Sequence, residues 1–380
     1  MHVDGNASDS GTADRIAAAE AQLRAPATSD RLDAVQALAD IGDETDGPSR
    51  QRCVEALCRY LRAACDGERR GDSDDRGTTE QRTDYCAHDR EVRDTIVGVV
   101  AERVRPDAAC SWSTSDFDFR GAWLGDADFS GAVFSGDVVF ERATFSGDAR
   151  FDAVMFCTGA DFKDATFNGS ARFEGASFGC FTRFSDATFG AEAWFERARF
   201  TGACFMDAKF SEAAWFGRTM FEQSGRFAHA TFGAEADFSE AIFNEEVLFG
   251  AATFRGTADF HRARCIEARF DEAIFHADAR FDRARFELEA WFDDAEFHGN
   301  STFENIALPF ASRFYGTDFG TARIVFDNPR QWGPCGPVFD WGSDGVGKPA
   351  NVEPQNWPPA AMLPLQDPPW PGRSWPPPTA

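Results

Sequence analysis

The apolar positions in the middle of the chain repeat with a strict period of eleven. From residue 132 the units AVFSGDVVFER, ATFSGDARFDA, VMFCTGADFKD and ATFNGSARFEG follow one another, and Phe recurs at alternating gaps of six and five residues. Ala usually lies two positions before Phe, so each half-unit is A-x-F-x-x with an extra residue in every second half. The series runs to Phe303 with shortened units at 198–207 and 263–272. Its predicted core positions begin with Phe134, Phe140, Phe145, Phe151, Phe156, Phe162, Phe167 and Phe173.

Extended backbone explains this pattern better than a helix. On a helix the Ala and Phe positions would point to about 0°, 200°, 240° and 80°, so no single apolar stripe forms. In a strand, residues two apart point to the same side, which places Ala and Phe inward together. The odd spacing of Phe then requires the chain to turn a corner after each one. Four corners close a coil of about 22 residues, and residues 115–326 would form nine or ten coils about 45 Å long.

The half-units AWLGD (122–126), ADFSG (127–131) and AVFSG (132–136) resemble pentapeptide repeats of the form A-(D/N)-(L/F)-x-x. The resemblance implies a right-handed quadrilateral β-helix. The predicted fold class is therefore mainly β, with a small N-terminal α-helical domain and an irregular Pro/Trp-rich tail. This sequence departs from the family pattern in two ways: alternate repeats contain a sixth residue, and Phe replaces Leu at almost every central position. RQRCVEALCRYLR (50–62) and REVRDTI (90–96) also resemble the leader of bacterial pentapeptide-repeat proteins of unknown role.

Residues 1–114 predict helices rather than strands. Apolar side chains recur at helical spacing in 30–42, 49–65 and 89–104, and Gly42 is a predicted helix end. A charged, acidic loop is predicted at 67–87. Helices in series resemble a HEAT-like or armadillo stack, but so few helices offer little concave surface, which favours a plain bundle that caps the next domain.

Abrupt changes in composition predict the domain boundaries. Of the 40 Phe residues, 39 lie between Phe117 and Phe326. We therefore predict a helical domain at 1–114, a β-helix at 115–326 and a tail at 327–380. The tail is rich in Pro and Trp, which predicts an extended segment covering the last open coil edge.

The net charge of −25 makes this an acidic protein. Such a surface repels nucleic acid, so we expect no direct DNA or RNA binding. Residues 1–30 lack the apolar core of a secretory signal, and the longest apolar stretch, around 95–101, is too short to span a membrane. We predict a cytoplasmic protein without membrane contact.

The ten Cys residues include no C-x-x-C pair and predict reduced, mostly buried side chains.

No sequence motif indicates catalysis. GSDGVGKP (342–349) approaches a phosphate-binding loop, but Pro349 replaces the required Ser or Thr. His276 and His298 are one predicted coil apart and should stack on an outer face. A stable metal site needs further ligands, and their column neighbours Arg255 and Gly320 supply none. We therefore predict no enzyme activity, cofactor or metal.

Trp194 and Trp215 lie one shortened coil apart, and each precedes a Phe, so both should point outward in one column with Arg172. Exposed aromatic side chains beside Arg are typical of partner sites, although the two indoles could simply stack on each other.

The predicted function of the chain is a non-catalytic scaffold or protein-binding module with an unknown partner. One alternative is an acidic DNA mimic that binds DNA gyrase or topoisomerase IV, a partner implied by the family resemblance. A metal-binding or enzymatic protein is the second alternative.

Overall fold

The computed structural model describes residues 5–63, 89–309, 311–332 and 336–360. The helices predicted at 30–42, 49–65 and 89–104 are present with slightly different ends, and one more helix precedes them. The loop predicted at 67–87 lies outside the described residues. The helices of the described part are α1 (Gly5–Gln22), α2 (Thr28–Glu44), α3 (Gly47–Arg62) and α4 (Arg90–Arg103).

The predicted end of α2 at Gly42 is wrong, because the helix continues to Glu44. Gly42 is needed for close packing: a Cβ at this position would lie 2.5 Å from Cζ2 of the Trp112 indole. Trp112 is fully buried, and its Nε1 donates a hydrogen bond of 2.9 Å to Asp43 Oδ1. The glycine therefore allows the chain that leads into the β-helix to pack on α2.

After Trp112 the chain forms a β-helix of about ten coils built from parallel strands. Each coil has four strands on four faces, which we number 1 to 4 in chain order. Through most of the solenoid, residues in neighbouring coils pair at intervals of 21 or 22, as for Phe167 with Phe189 and Phe189 with Phe210; the intervals in the last coils are longer, reaching 28 for Ile324 with Val352. The prediction of a four-cornered coil of about 22 residues is confirmed.

Faces 2 and 3 each form a separate sheet. The nine strands of face 2 are Trp123–Leu124, Thr144–Phe145, Thr166–Phe167, Thr188–Phe189, Lys209–Phe210, Thr231–Phe232, Thr253–Phe254, Ile274–Phe275 and Glu296–Phe297. The eleven strands of face 3 are Ala127–Asp128, Ala149–Arg150, Ala171–Arg172, Ala193–Trp194, Ala214–Trp215, Ala236–Asp237, Ala258–Asp259, Ala279–Arg280, Ser301–Thr302, Ile324–Val325 and Val352–Glu353.

Faces 4 and 1 merge into one sheet of 16 strands, because some strands continue across the corner between them. The continuous strands are Ser177–Arg183, Arg199–Cys204, Ile242–Leu248, Arg264–Arg269 and Arg285–Trp291. The others on face 4 are Val133–Phe134, Met155–Phe156, Met220–Phe221, Ala307–Leu308 and Gln331–Trp332. The others on face 1 are Phe117–Asp118, Val138–Val139, Ala160–Asp161, Gly225–Arg226, Arg313–Phe314 and Val338–Phe339.

The alternating Phe gaps correspond to two kinds of corner. After faces 1 and 3 the gap is five, and the residue two positions after Phe has left-handed backbone, as in Arg142 with φ 57°. The N–H of Ala143 then donates to the Phe140 carbonyl at 2.9 Å, closing a turn with positive φ at its third position. After faces 2 and 4 the gap is usually six. Up to Phe319, the extra residue thus belongs to one kind of corner only.

Stacked Phe rings fill the interior. Phe184 and Phe205, on successive coils of face 1, have parallel rings with centroids 4.8 Å apart. Rings on different faces meet edge to face, as do Phe184 and Phe195 at 5.5 Å, or at a tilt, as do Phe184 and Phe189 at 41°. Aromatic pairs favour both arrangements, and the small inward Ala side chains leave room for them. The predicted core residues Phe134, Phe140, Phe145, Phe151, Phe156, Phe162, Phe167 and Phe173 are fully buried.

The helical segment covers the first coil. Helices α3 and α4 pack on the first strands of the β-helix. The Gln51 side chain exchanges two hydrogen bonds of 3.0 Å with the backbone of Asp116, and the N–H of Val133 donates to the Val104 carbonyl at 2.7 Å. These bonds occupy backbone groups that an open coil edge would expose. No helix in the described part of the chain is both long and apolar enough to span a bilayer.

The coils continue past the predicted boundary at residue 326. Strands up to Val352–Glu353 extend the sheets, so this boundary falls inside the last coils rather than at their end. Indoles then cover the final Phe: Trp341 and Trp357 lie 4.4 and 5.3 Å from Phe339, measured between ring centroids. The described part of the tail therefore packs on the coil edge. Residues 361–380 lie outside the described residues.

Candidate functional site

Face 3 carries the residues predicted as a partner surface. Each of its short strands points the first residue inward and the second outward. The pairing Arg172 with Trp194, and Trp194 with Trp215, places all three predicted residues in one column. We call Arg172, Trp194 and Trp215 the tryptophan surface. The column is otherwise largely charged, with Asp128 and Arg150 before it and Asp237, Asp259 and Arg280 after it.

The two indoles and the guanidinium form a continuous stack. The rings of Trp194 and Trp215 are 5.3 Å apart between centroids and inclined by 25°. The Arg172 guanidinium carbon lies 5.9 Å from the Trp194 centroid, within the range of a cation–π contact. Arg172 is held by Asp152 at 2.9 Å and Glu174 at 3.4 Å. The hydrogen bond to Asp152 raises the pKa of Arg172, so its charge is fixed.

Both indoles are half-buried, so each presents only part of its ring to solvent. Nε1 of Trp215 is buried and has no hydrogen-bond partner among the described residues. The arrangement offers an aromatic contact area bordered by a cation and carboxylates.

The histidines predicted to stack do so on face 2. The His276 and His298 rings are 5.4 Å apart and nearly parallel at 13°. Nε2 of His298 lies 3.0 Å from Oε2 of Glu296. Across the described residues, no group of three or more His, Cys, Asp or Glu side chains has the geometry to hold a metal ion.

The segment that approaches a phosphate-binding loop has a structural role. Residues 342–349 contain turns but no helix, so helical N–H groups are not presented to a phosphate. Nζ of Lys348 donates to the Val352 carbonyl and lies 5.9 Å from the Trp357 centroid. Burial lowers the pKa of this ammonium. Lys348 therefore stabilises the part of the tail whose indoles, Trp341 and Trp357, cover the last coil.

The described cysteines are all free of disulfide bonds and range from buried to exposed. Burial raises the pKa of Cys58 to about 12 and that of Cys53 to about 11, so both stay protonated at neutral pH. The sequence predicted mostly buried thiols and did not single out the two exposed ones, Cys157 and Cys180. The buried thiols are Cys53, Cys58, Cys204 and Cys265; Cys110 is half-buried; Cys157 and Cys180 are exposed.

Sequence reasoning missed a second aromatic–cation stack, on face 1. The Trp291 ring lies between two guanidinium groups, whose carbons are 4.0 Å (Arg269) and 3.8 Å (Arg313) from the ring centroid. Glu246 and Asp293 hold these arginines at 3.0 and 2.7 Å. The signal was present, because the three residues are 22 apart and each directly precedes a Phe. Guanidinium groups cover both faces of this indole, whereas Trp194 has a guanidinium on one face and the Trp215 indole on the other.

Comparison with known proteins agrees with the geometry. A family model described as "Pentapeptide repeats (9 copies)" matches overlapping segments that together span residues 129–307. The solenoid belongs to the pentapeptide-repeat family. The overlapping matches are 129–177, 162–212, 193–242, 227–274, 238–285 and 263–307. No curated protein and no solved structure matches this pentapeptide-repeat chain.

Proposed function

We propose that this pentapeptide-repeat protein is a non-catalytic scaffold that binds another protein through the tryptophan surface. The observation that supports this most is the stacked Trp194–Trp215 pair in an otherwise largely charged column. Trp and Arg are the side chains most often found at energetically dominant positions of protein interfaces. A partner that lays an apolar side chain on the indoles and a cation near Glu174 would complement the site.

The interior favours a binding role over an enzymatic one. The coil is filled by Phe rings in direct contact, such as Phe195 on Phe216 with centroids 4.7 Å apart. Enzymes usually need a concave pocket in which polar groups converge. In a filled solenoid, recognition takes place on the outer faces.

The alternative of a DNA mimic is favoured by the acidity of the chain, whose net charge is −25. Duplex DNA, however, carries an unbroken charge every ~1.7 Å along its axis. On this solenoid arginines pair with acids on neighbouring coils, as in Arg183–Asp161 at 3.0 Å and Arg199–Glu222 at 2.7 Å. Such pairs interrupt the acidic columns and weaken the field that topoisomerase IV or gyrase would have to recognise. This favours the scaffold.

Affinity capture with matched variants tests the proposal. The tagged protein, the Trp194→Ala/Trp215→Ala variant and a His276→Ala/His298→Ala control are used to capture proteins from the cell extract, which are quantified by mass spectrometry. The control removes another outward stacked aromatic pair, but on face 2. We expect one specific partner to be reduced about tenfold or more by the Trp variant, because interface tryptophans contribute about 2 kcal/mol or more.

Equal recovery of every partner with both variants would contradict the assignment of the tryptophan surface. Recovery of gyrase or topoisomerase subunits that dissociate at raised salt, unaffected by the Trp variant, would favour the mimic instead. Circular dichroism of each variant establishes that the fold is intact.

A further inference from the structure

A groove of about 490 Å³ crosses the corner between faces 3 and 4 near the C-terminal end of the solenoid. Its charged lining is mostly basic although the protein as a whole is strongly acidic. Glu240 is the acidic residue among those lining it. The basic residues are Arg262, Arg264, Arg283, Arg285 and Arg330, and we call this site the arginine groove.

Two R-A-R segments on adjacent coils create the groove. Residues 262–264 and 283–285 are 21 apart, the length of one shortened coil, so Arg264 and Arg285 pair directly across the sheet. Arg262 and Arg283 occupy the left-handed corner position, with φ of 56° and 57°. The corner turns between the two arginines of each segment. Guanidinium groups from both sides of the corner therefore line the same groove.

Two of the five arginines in the groove have no acidic partner among the described residues. Arg262 contacts Glu240 at 3.6 Å, and Arg285 contacts Glu287 at 2.6 Å. Within the described part of the chain, Arg264 and Arg283 make no ion pair or hydrogen bond through their side chains. Gathering like charges on neighbouring coils opposes folding unless an anion offsets the repulsion.

A third R-A-R segment has arginines at equivalent positions, and there each arginine forms an ion pair with an acidic residue. Arg197 and Arg199 occupy the same two columns, three coils before 262–264. Arg197 pairs with Glu174 at 3.4 Å and Arg199 with Glu222 at 2.7 Å. The shortage of acids at the arginine groove is therefore a local property and not a feature of the columns.

We infer that the arginine groove binds a small ligand carrying two or more phosphate groups. The planar guanidinium donates paired hydrogen bonds that match phosphate oxygens, and several such groups meet in one place. The groove volume suits a small molecule rather than a polymer. The surrounding acidic surface repels nucleic acid, which leaves compact polyanions as the fitting class. This site is separate from the tryptophan surface and does not depend on the proposed partner binding.

Isothermal titration calorimetry with inorganic tripolyphosphate tests the inference. We expect the full-length protein to bind one equivalent, with an affinity that falls as salt rises. In the Arg264→Gln/Arg283→Gln variant the affinity should fall by about tenfold or more, because charge-assisted hydrogen bonds are lost. Arg197→Gln/Arg199→Gln is the matched control: it removes the same two charges from the same columns and should bind like the wild type.

Three results would overturn the inference: no heat of binding with the wild-type protein, equal weakening in the control variant, or equal affinity for citrate and tripolyphosphate. The last would mean that the groove does not select phosphate. Thermal unfolding of each variant shows that a change in binding does not come from loss of the fold. Because Arg264 and Arg283 have no acidic partner among the described residues, replacing them leaves no carboxylate unpaired, and we expect the Arg264→Gln/Arg283→Gln variant to fold.

Discussion

At the scale of single residues, the left-handed corners carry the most conformational cost. An L-residue other than Gly in this region loses about 1–2 kcal/mol, yet Arg, Asp, Glu, His and Ala all occupy the position after faces 1 and 3. In the regular coils the turn closes with a backbone hydrogen bond, and the stacked coils on either side fix its shape. Neighbouring coils therefore impose a conformation that these residues do not favour alone.

Two adjacent corners allow a reciprocal test. Ala153 has φ 53° and is exposed, while Gly175, one coil further, has φ 64° and open space where a Cβ would lie. Ala153→Gly should raise the free energy of unfolding, and Gly175→Ala should lower it, each by about 1 kcal/mol. Urea denaturation followed by circular dichroism measures both. Changes of the same sign in the two variants would show that backbone strain does not decide stability at these corners.

At the scale of elements, the contact between helices and solenoid depends on a buried cation. Arg93 of α4 is almost fully buried, and its guanidinium donates to the carbonyls of Leu61 at 2.8 Å and Ala63 at 3.0 Å, at the end of α3. A longer bond of 3.3 Å reaches the carbonyl of Trp123 in the first coil. Burial lowers the pKa of Arg93, while Asp89 offsets part of that effect. One side chain thus joins two helices to the solenoid.

The same contact predicts a pH effect. Asp118 accepts hydrogen bonds from Arg120 at 2.7 and 2.9 Å and pairs with Arg62 of α3. The Arg120 hydrogen bond is the main reason that the pKa of Asp118 falls to about 2. Because the folded pKa lies below the unfolded value of about 3.9, this carboxylate stabilises the fold above pH 4, and the contribution is lost as pH falls towards 2.

Urea midpoints measured between pH 4.5 and 2 check this expectation. The wild-type protein should lose more stability over that window than Asp118→Asn, which is already weakened at the higher pH. Partial exposure of Asp118 to solvent makes the difference modest. Parallel pH profiles for the two proteins would show that Asp118 does not stabilise the contact.

The sequence predicted the elements that have a strong period and missed those that do not. The A-x-F pattern determined strand direction, coil length and the Trp194–Trp215 register, because alternate residues of a strand point to opposite sides. The sequence assigns no range to helix α1, because its apolar pattern is weak: Ile16 and Ala19 are its buried positions among the described side chains. The role of Gly42 could not be predicted, since Trp112 approaches it from 70 positions later in the chain.

The arginine groove shows a different limit of prediction. Its R-A-R segments are visible in the sequence, but a third copy at 197–199 has the same letters and a different electrostatic setting. The difference comes from acids on neighbouring coils, which lie one full turn of the solenoid away along the chain. To predict this difference from the sequence, the register of every coil, including the shortened ones, must be known before each charged residue can be placed on the solenoid surface.

At the scale of the whole molecule, the solenoid is close to one-dimensional, because each coil contacts mainly the next. Removing one complete coil should therefore shorten the protein without destroying it. Residues 230–232 and 252–254 are both Ala-Thr-Phe, so deleting 230–251 joins His229 to an equivalent residue. The new neighbours Phe210 and Phe254 would stack as Phe210 and Phe232 do now, with centroids 5.0 Å apart.

We expect the 230–251 deletion to unfold cooperatively in urea with a somewhat smaller m-value, since it exposes less surface on unfolding. The control deletes 230–252, one residue more. It shortens a corner that is five residues long throughout the regular coils and should lose a cooperative transition. Similar unfolding of both proteins would argue against strict register between coils.

The two kinds of corner also bear on how such a chain changes over generations. The gap after faces 1 and 3 is five until the last coil, where Phe326 and Trp332 are six apart, whereas the gap after faces 2 and 4 is usually six but is five at Phe200–Phe205. Within the regular coils, insertion or loss of a single codon should therefore be tolerated at the second kind of corner and rejected at the first. Lineages of this protein would then gain and lose length in two units: a single residue at alternate corners, or a whole coil at once.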